Sequence, residues 1–207
     1  MKRLARYLVA FTATAMMSSS AFAAIDFSDD FESYDPANPT TLGDGGWLVF
    51  VNIFDDYPGC SQILYGYGPF PAPNGGGGFS SVVDAASGAT GQALNAYSNY
   101  DDDQHAQGNC LETNVFQEIN PFDAADAGTY EFSFDTQVPG ALEGSASVFA
   151  FVKLLDPNAG FADVFGGTAV VDTETAGSQS IEVTLTADHA GMILQWGFTS
   201  KASNYEF

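Results

Sequence analysis

The residues best equipped for chemistry are carboxylates, loop aromatics and one pair of cysteines. Asp26, Asp29, Asp30, Glu32 and Asp35 crowd a short N-terminal stretch, and Asp101-Asp102-Asp103 forms a second cluster. Calcium takes roughly six to eight oxygens from carboxylates, carbonyls and water. A strand over residues 27–33 would point Asp30 and Glu32 the same way, which makes them the metal-ligand candidates. The triple Asp reads as a solvated acidic edge, and the spacing of an EF-hand loop is absent. Glycoside hydrolysis needs two carboxyl groups about 5–10 Å apart across a cleft. Glu131 and Asp135 share a strand face but lie about 13 Å apart along it, and they read as solvent-facing. His105 and His189 are isolated and read as surface residues, and no nucleophile elbow or zinc histidine pair occurs. The run Gly75–78 lacks the lysine and following helix of a phosphate loop. No residue is therefore assigned a catalytic role.

Aromatic side chains are the remaining ligand candidates. Tyr65, Tyr67 and Phe70 fall in a Gly/Pro-rich stretch, residues 57–78, that reads as irregular. Tyr97 and Tyr100 stand at the start of a second polar loop, residues 99–109, and could line the same surface. The apolar faces of sugar rings stack on exposed aromatic rings while polar neighbours fix orientation, so these five residues are the predicted ligand-binding set. Trp47 and Trp196 read as core. Cys60 and Cys110 sit at the edges of the two loops. An even cysteine count in an exported chain predicts a disulfide, here closing a loop of about 50 residues.

Positioning these groups falls to β-strands. Residues 129–138 alternate Tyr130, Phe132 and Phe134 against Glu131, Ser133 and Asp135, and residues 178–186 alternate Ile181, Val183 and Leu185 against Ser180, Glu182 and Thr184. Both are period-two patterns of half-buried strands. Residues 147–155 are apolar on both faces, as in a central strand, and residues 191–199 form another. Weaker strands are expected at 27–33, 47–54, 80–83, 93–98 and 114–119. Turn residues separate these runs and no long helical period appears. The prediction is an all-β antiparallel sandwich of jelly-roll type. The chain ends at Tyr205-Glu206-Phe207 without a turn or polar tail, which reads as a sandwich stopping before its last strand.

Residues 1–23 carry Lys2, Arg3 and Arg6, then an apolar stretch, then Ala21-Phe22-Ala23. This is the order of a secretory signal peptide, too short to span a bilayer, so the expectation is one domain over residues 24–207 with no transmembrane segment after cleavage. Secreted, periplasmic or cell-surface placement follows. The chain holds 26 acidic and 5 basic residues, net charge −21. All the acidic residues lie beyond the leader, where Lys153 and Lys201 are the only basic ones. Nucleic acid is a poor partner for such a surface, since phosphate binding needs clustered cations.

The segment Asp29-Asp30-Phe31-Glu32-Ser33 followed by Gly45-Gly46-Trp47 resembles the opening of bacterial jelly-roll carbohydrate-binding modules and galactose-binding-like domains. Ile193-Leu194-Gln195-Trp196-Gly197-Phe198, with Asn204-Tyr205-Glu206-Phe207 after it, is similar to their penultimate strand and next loop. The resemblance implies a structural calcium with Glu32 as one ligand, and a polysaccharide or cell-surface glycan as partner. Three functions are in contention: a non-catalytic carbohydrate-binding module, then a structural surface or matrix protein without sugar binding, then a polysaccharide-degrading enzyme.

Overall fold

The computed structural model describes residues 25–56, 59–75, 79–85, 90–98, 108–137, 147–165, 169–172 and 177–203. Its strands are β1 (Leu48–Asp56), β2 (Ile63–Pro71), β3 (Ser80–Asp84), β4 (Gln92–Ala96), β5 (Asn109–Ile119), β6 (Gly128–Thr136), β7 (Ser147–Asp156), β8 (Ala162–Asp163), β9 (Ala169–Asp172), β10 (Gly177–Leu185) and β11 (Ile193–Ser203). Among the described residues helix is limited to one turn, α1 (Thr41–Asp44), and short 3-10 turns.

Among the described residues, seven strands form one sheet in the order β2-β1-β5-β11-β7-β8, with β9 also paired to β7. Every pairing is antiparallel. Two small sheets, β3-β4 and β6-β10, cover the same face of it. Hairpin β3-β4 lies over β1 and β5, where Val49, Val51, Ile53, Leu111 and Val115 meet Phe79 and Val82. The β6-β10 pair lies over β7 and β11, where Ala150, Val152, Leu154, Leu194 and Trp196 meet Ile181, Val183 and Leu185. Phe198 packs against both clusters. The architecture is thus an all-β antiparallel sandwich, with two unequal covering sheets on one large curled layer.

The alternation that predicted β6 and β10 is reproduced as burial. Ile181, Val183 and Leu185 are buried, while Ser180, Glu182 and Thr184 between them are exposed. In β7, Ala150, Phe151 and Val152 are buried in succession, because this strand has neighbours on both edges and contacts on both faces. Two expectations are corrected. Residues 27–33 form no strand, and residues 57–78 are not wholly irregular, because they contain the edge strand β2. Among the described residues, no helix is long and apolar enough to cross a membrane.

Candidate functional site

Three of the five predicted aromatics, Tyr65, Tyr67 and Phe70, meet at the sheet edge. Tyr65 lies opposite Ile53, Tyr67 opposite Val51, and Phe70 opposite Val49. Those three β1 residues face the core, so all three rings are on the core side of β2. From Val51 to Val49 β1 advances two residues, while β2 advances three from Tyr67 to Phe70. The extra residue is a bulge, and it returns Phe70 to the face occupied by Tyr67. Ring centroids are 6.2 Å apart for Tyr65–Tyr67 and for Tyr67–Phe70, at interplanar angles of 26° and 1°. Phe79 packs edge-on against Tyr67 and Phe70 at 6.3 and 6.2 Å. Tyr67 and Phe70 are half-buried against the core. Tyr65 stands at the open end of the strip, 36% exposed, beside Ile63 and Leu64 at 55% and 50%. On the other side of β2, Gly66 matters because a Cβ there would come within 3.1 Å of the Phe50 ring.

Tyr97 does not join this strip. It is half-buried, its amide donates to Phe79 O and its hydroxyl to Ser80 O at 3.5 Å, and burial raises its pKa. Tyr100, the triple Asp and His105 lie outside the described residues. Cys60 and Cys110 form the expected disulfide, with Cα atoms 5.5 Å apart. Glu131 and Asp135 are exposed on the outer face of β6, where Asp135 accepts a bond from the Ser178 hydroxyl. His189 closes a capping box, its Nδ1 accepting the Thr186 amide at 3.2 Å.

The N-terminal carboxylates serve the chain itself. Asp29 accepts from the Phe31 amide at 2.9 Å, the Tyr34 hydroxyl at 2.6 Å and Trp47 Nε1 at 2.9 Å. Phe31 adopts φ +62°, so the segment turns rather than extends, and Asp30 and Glu32 do not share a strand face. Asp30 accepts the Glu32 amide, and Glu32 accepts the Gln92 amide at 2.6 Å. Among the described residues, no group of three or more His, Cys, Asp or Glu side chains is placed to hold a metal ion.

Burial foremost, then the bond to Asp29 and its charge, push Tyr34 up to about 12. Between pH 10 and 12 the unfolded phenol ionises while the folded one stays neutral, so stability falls with rising pH there and is untouched below pH 10. Denaturant melts from pH 9 to 12 should show a steeper alkaline loss in the wild-type protein than in Tyr34→Phe. Equal slopes would refute the linkage.

One constellation escaped sequence reasoning. On the sheet face away from both hairpins, strand register aligns Asn52, Glu112 and Lys201 in one row, and Phe50, Asn114, Thr199 and Phe149 in the next. Phe116 and Phe151 follow on either side of Gly197, 1% and 0% exposed, and belong to neither core cluster. Lys153 extends over the Phe151 ring, 4.1 Å from its centroid, and donates to Asn114 Oδ1 at 2.9 Å. Desolvation lowers its pKa, opposed by the charges of Glu112 and Asp163. The available signal was that both lysines beyond the leader sit at positions of one sheet face. A separate cavity of about 390 Å³ is lined by Asp26, Phe27, Glu118, Asp126 and Trp196.

Fold and site together define a β-sandwich with an aromatic strip along one sheet edge. No family model and no curated protein matches the chain. Among solved structures, it is similar to that of TmCBM61 in complex with β-1,4-galactotriose at 17% identity, over 60% of this chain and 72% of that one, with a TM-score of 0.31.

Proposed function

We propose that this domain is a non-catalytic carbohydrate-binding module that works outside the cytoplasm, on a polysaccharide or cell-surface glycan. The carrying observation is the Tyr65–Tyr67–Phe70 strip, whose outermost ring is exposed at a sheet edge. A ring held at the open end of the strip by a rigid strand, with Tyr67 and Phe70 half-buried behind it, offers an apolar surface to a sugar without the entropy loss of ordering a loop. A second reading, a surface or matrix protein that self-associates, is favoured by one feature: Ile63 and Leu64 are exposed on an edge strand, and open edges template pairing with another chain.

The test is binding to a panel of soluble and insoluble polysaccharides, in calcium and in EDTA, with light scattering on the same samples. Tyr65→Ala should weaken binding roughly 10- to 100-fold, as expected for losing one buried aromatic contact of about 1.5–3 kcal/mol, while melting stays near wild type. Tyr67 and Phe70 are poorer probes, because their rings also pack on the core. Binding lost in EDTA, and lost again in Asp30→Asn/Glu32→Gln, would support the calcium that the resemblance implies. A folded protein that binds nothing and self-associates would favour the matrix reading.

A further inference from the structure

The outer face of the large sheet holds an ammonium that forms no ion pair among the described residues. Glu112 Oε2 lies 3.8 Å from Lys201 Nζ, and Glu112 Oε1 accepts from Asn52 at 3.0 Å. Lys201 also lies over the Phe54 ring, 4.7 Å from its centroid. Lys153 has no such partner: among the described residues, no carboxylate is within ion-pair distance of it. Its ammonium makes one hydrogen bond, to Asn114 Oδ1, and that oxygen is already shared with the Thr199 hydroxyl at 2.8 Å. Asn114 Nδ2 is turned to Phe50 O. An ammonium carries three N–H donors, so two remain without an acceptor among the described residues. A charge withdrawn from water is costly unless acceptors replace the water it lost.

The surroundings say what would supply them. Phe50 and Phe149 are half-buried rings at the two ends of the row through Asn114 and Thr199, and Phe149 makes no ring contact among the described residues. They offer apolar surface beside polar groups, which is the composition of a small-ligand site. A polyanion would meet the field of a chain with net charge −21, whereas an uncharged polyol would not.

We infer that this face is a second glycan subsite, in which Lys153 donates to a hydroxyl of a neutral sugar whose ring lies against Phe149 or Phe50. This rests on the carbohydrate-binding reading but uses a different surface from the β2 edge.

The experiment is calorimetric titration of the mature protein with β-1,4-galactan, xyloglucan, mixed-linkage β-glucan and polygalacturonate. It compares wild type with Lys153→Met, Lys153→Arg and Tyr65→Ala, and follows acetylation of Lys153 by mass spectrometry with and without glycan. On a neutral glycan, Lys153→Met should bind at least tenfold more weakly and melt no lower than wild type, since it keeps the stem on Phe151 and removes a desolvated charge. Lys153→Arg should keep more of the affinity. The glycan should slow acetylation of Lys153 more than that of Lys201, a readout independent of any variant's folding. Wild-type affinity in Lys153→Met with unprotected Lys153 would overturn this subsite while leaving the edge strip standing, provided Tyr65→Ala still loses binding. Preference for polygalacturonate would overturn its neutral specificity, and no binding by the folded wild type would overturn both surfaces together.

Discussion

Trp47→Ala should destabilise the domain by about 3–5 kcal/mol, the usual loss for a large aromatic removed from a core, and lower the melting temperature by roughly 6–20 °C for a domain of this size. Trp47 is 2% exposed in the cluster beneath β3-β4. It also organises the N-terminal segment. Phe31 packs on its ring at 5.5 Å and Phe27 at 6.0 Å, and its Nε1 donates to Asp29. Gly45 lets this happen, because a Cβ there would collide with the Tyr34 ring and hydroxyl that complete the Asp29 cluster. Two controls separate ring from bond. Trp47→Phe keeps most of the apolar contact and should cost about 1 kcal/mol, and Asp29→Ala should cost about 1–3 kcal/mol through the donors it leaves unpaired. Combined with Trp47→Phe, Asp29→Ala should add less than its separate cost, since both act on one bond. Melting of Trp47→Ala within a few degrees of wild type would show that residues 25–47 do not brace the sandwich.

This cluster also explains why part of the fold was hidden in the sequence. Strands β6, β7, β10 and β11 were readable because each alternates or is apolar throughout, and burial alone decides their faces. Residues 27–33, a weaker strand candidate by pattern, form no strand. The Asp29 carboxylate binds the Phe31 amide, a local bond that competes with strand pairing, and Phe31 takes a left-handed conformation. β2 was missed for the opposite reason. Gly66, Gly68, Pro69 and Pro71 are turn signals by type, but in an edge strand a proline leaves no inner pairing donor unmet, and Gly66 makes room for Phe50. The bulge then spaces Tyr67 and Phe70 by three residues on one face, a relation that strict alternation forbids.

The candidate surfaces were legible to different depths. The exposure of Tyr65 was legible because an aromatic in a Gly/Pro-rich stretch is hard to bury, and it is 36% exposed on the edge strand. Tyr97, expected to line the same surface, instead is half-buried and bonds through its amide to Phe79 O. Lys153, Asn114 and Thr199 are separated by 39 and 46 positions, and only the order β5-β11-β7 and its register place them together. Sequence spacing carries no trace of such a long-range arrangement, although the scarcity of lysine in so acidic a chain marks both lysines as worth locating.

Replacing both Cys60 and Cys110 with serine should cost about 4 kcal/mol, the chain-entropy value for a loop of this length. The bridge spans a sequence separation of 50 and joins the turn before β2 to the start of β5. Its loop encloses β2, β3 and β4, so the constraint it removes from the unfolded chain includes both the aromatic strip and the hairpin that backs it. The effect should be visible as a fall in melting temperature of roughly 8–16 °C. Cys110 is fully buried, so the serine hydroxyl introduced there adds a desolvation cost, and the Cys110→Ala/Cys60→Ala pair separates that cost from the loss of the cross-link. The consequence for binding is distinct. Among the described residues β2 pairs on one side only, with β1, so loosening its first turn should raise hydrogen exchange at residues 61–67 before it affects β7 or β11. If exchange rises evenly across the sheet, the disulfide supports global stability alone. If it rises first at β2, glycan affinity should fall with it at temperatures where the rest of the sandwich remains folded.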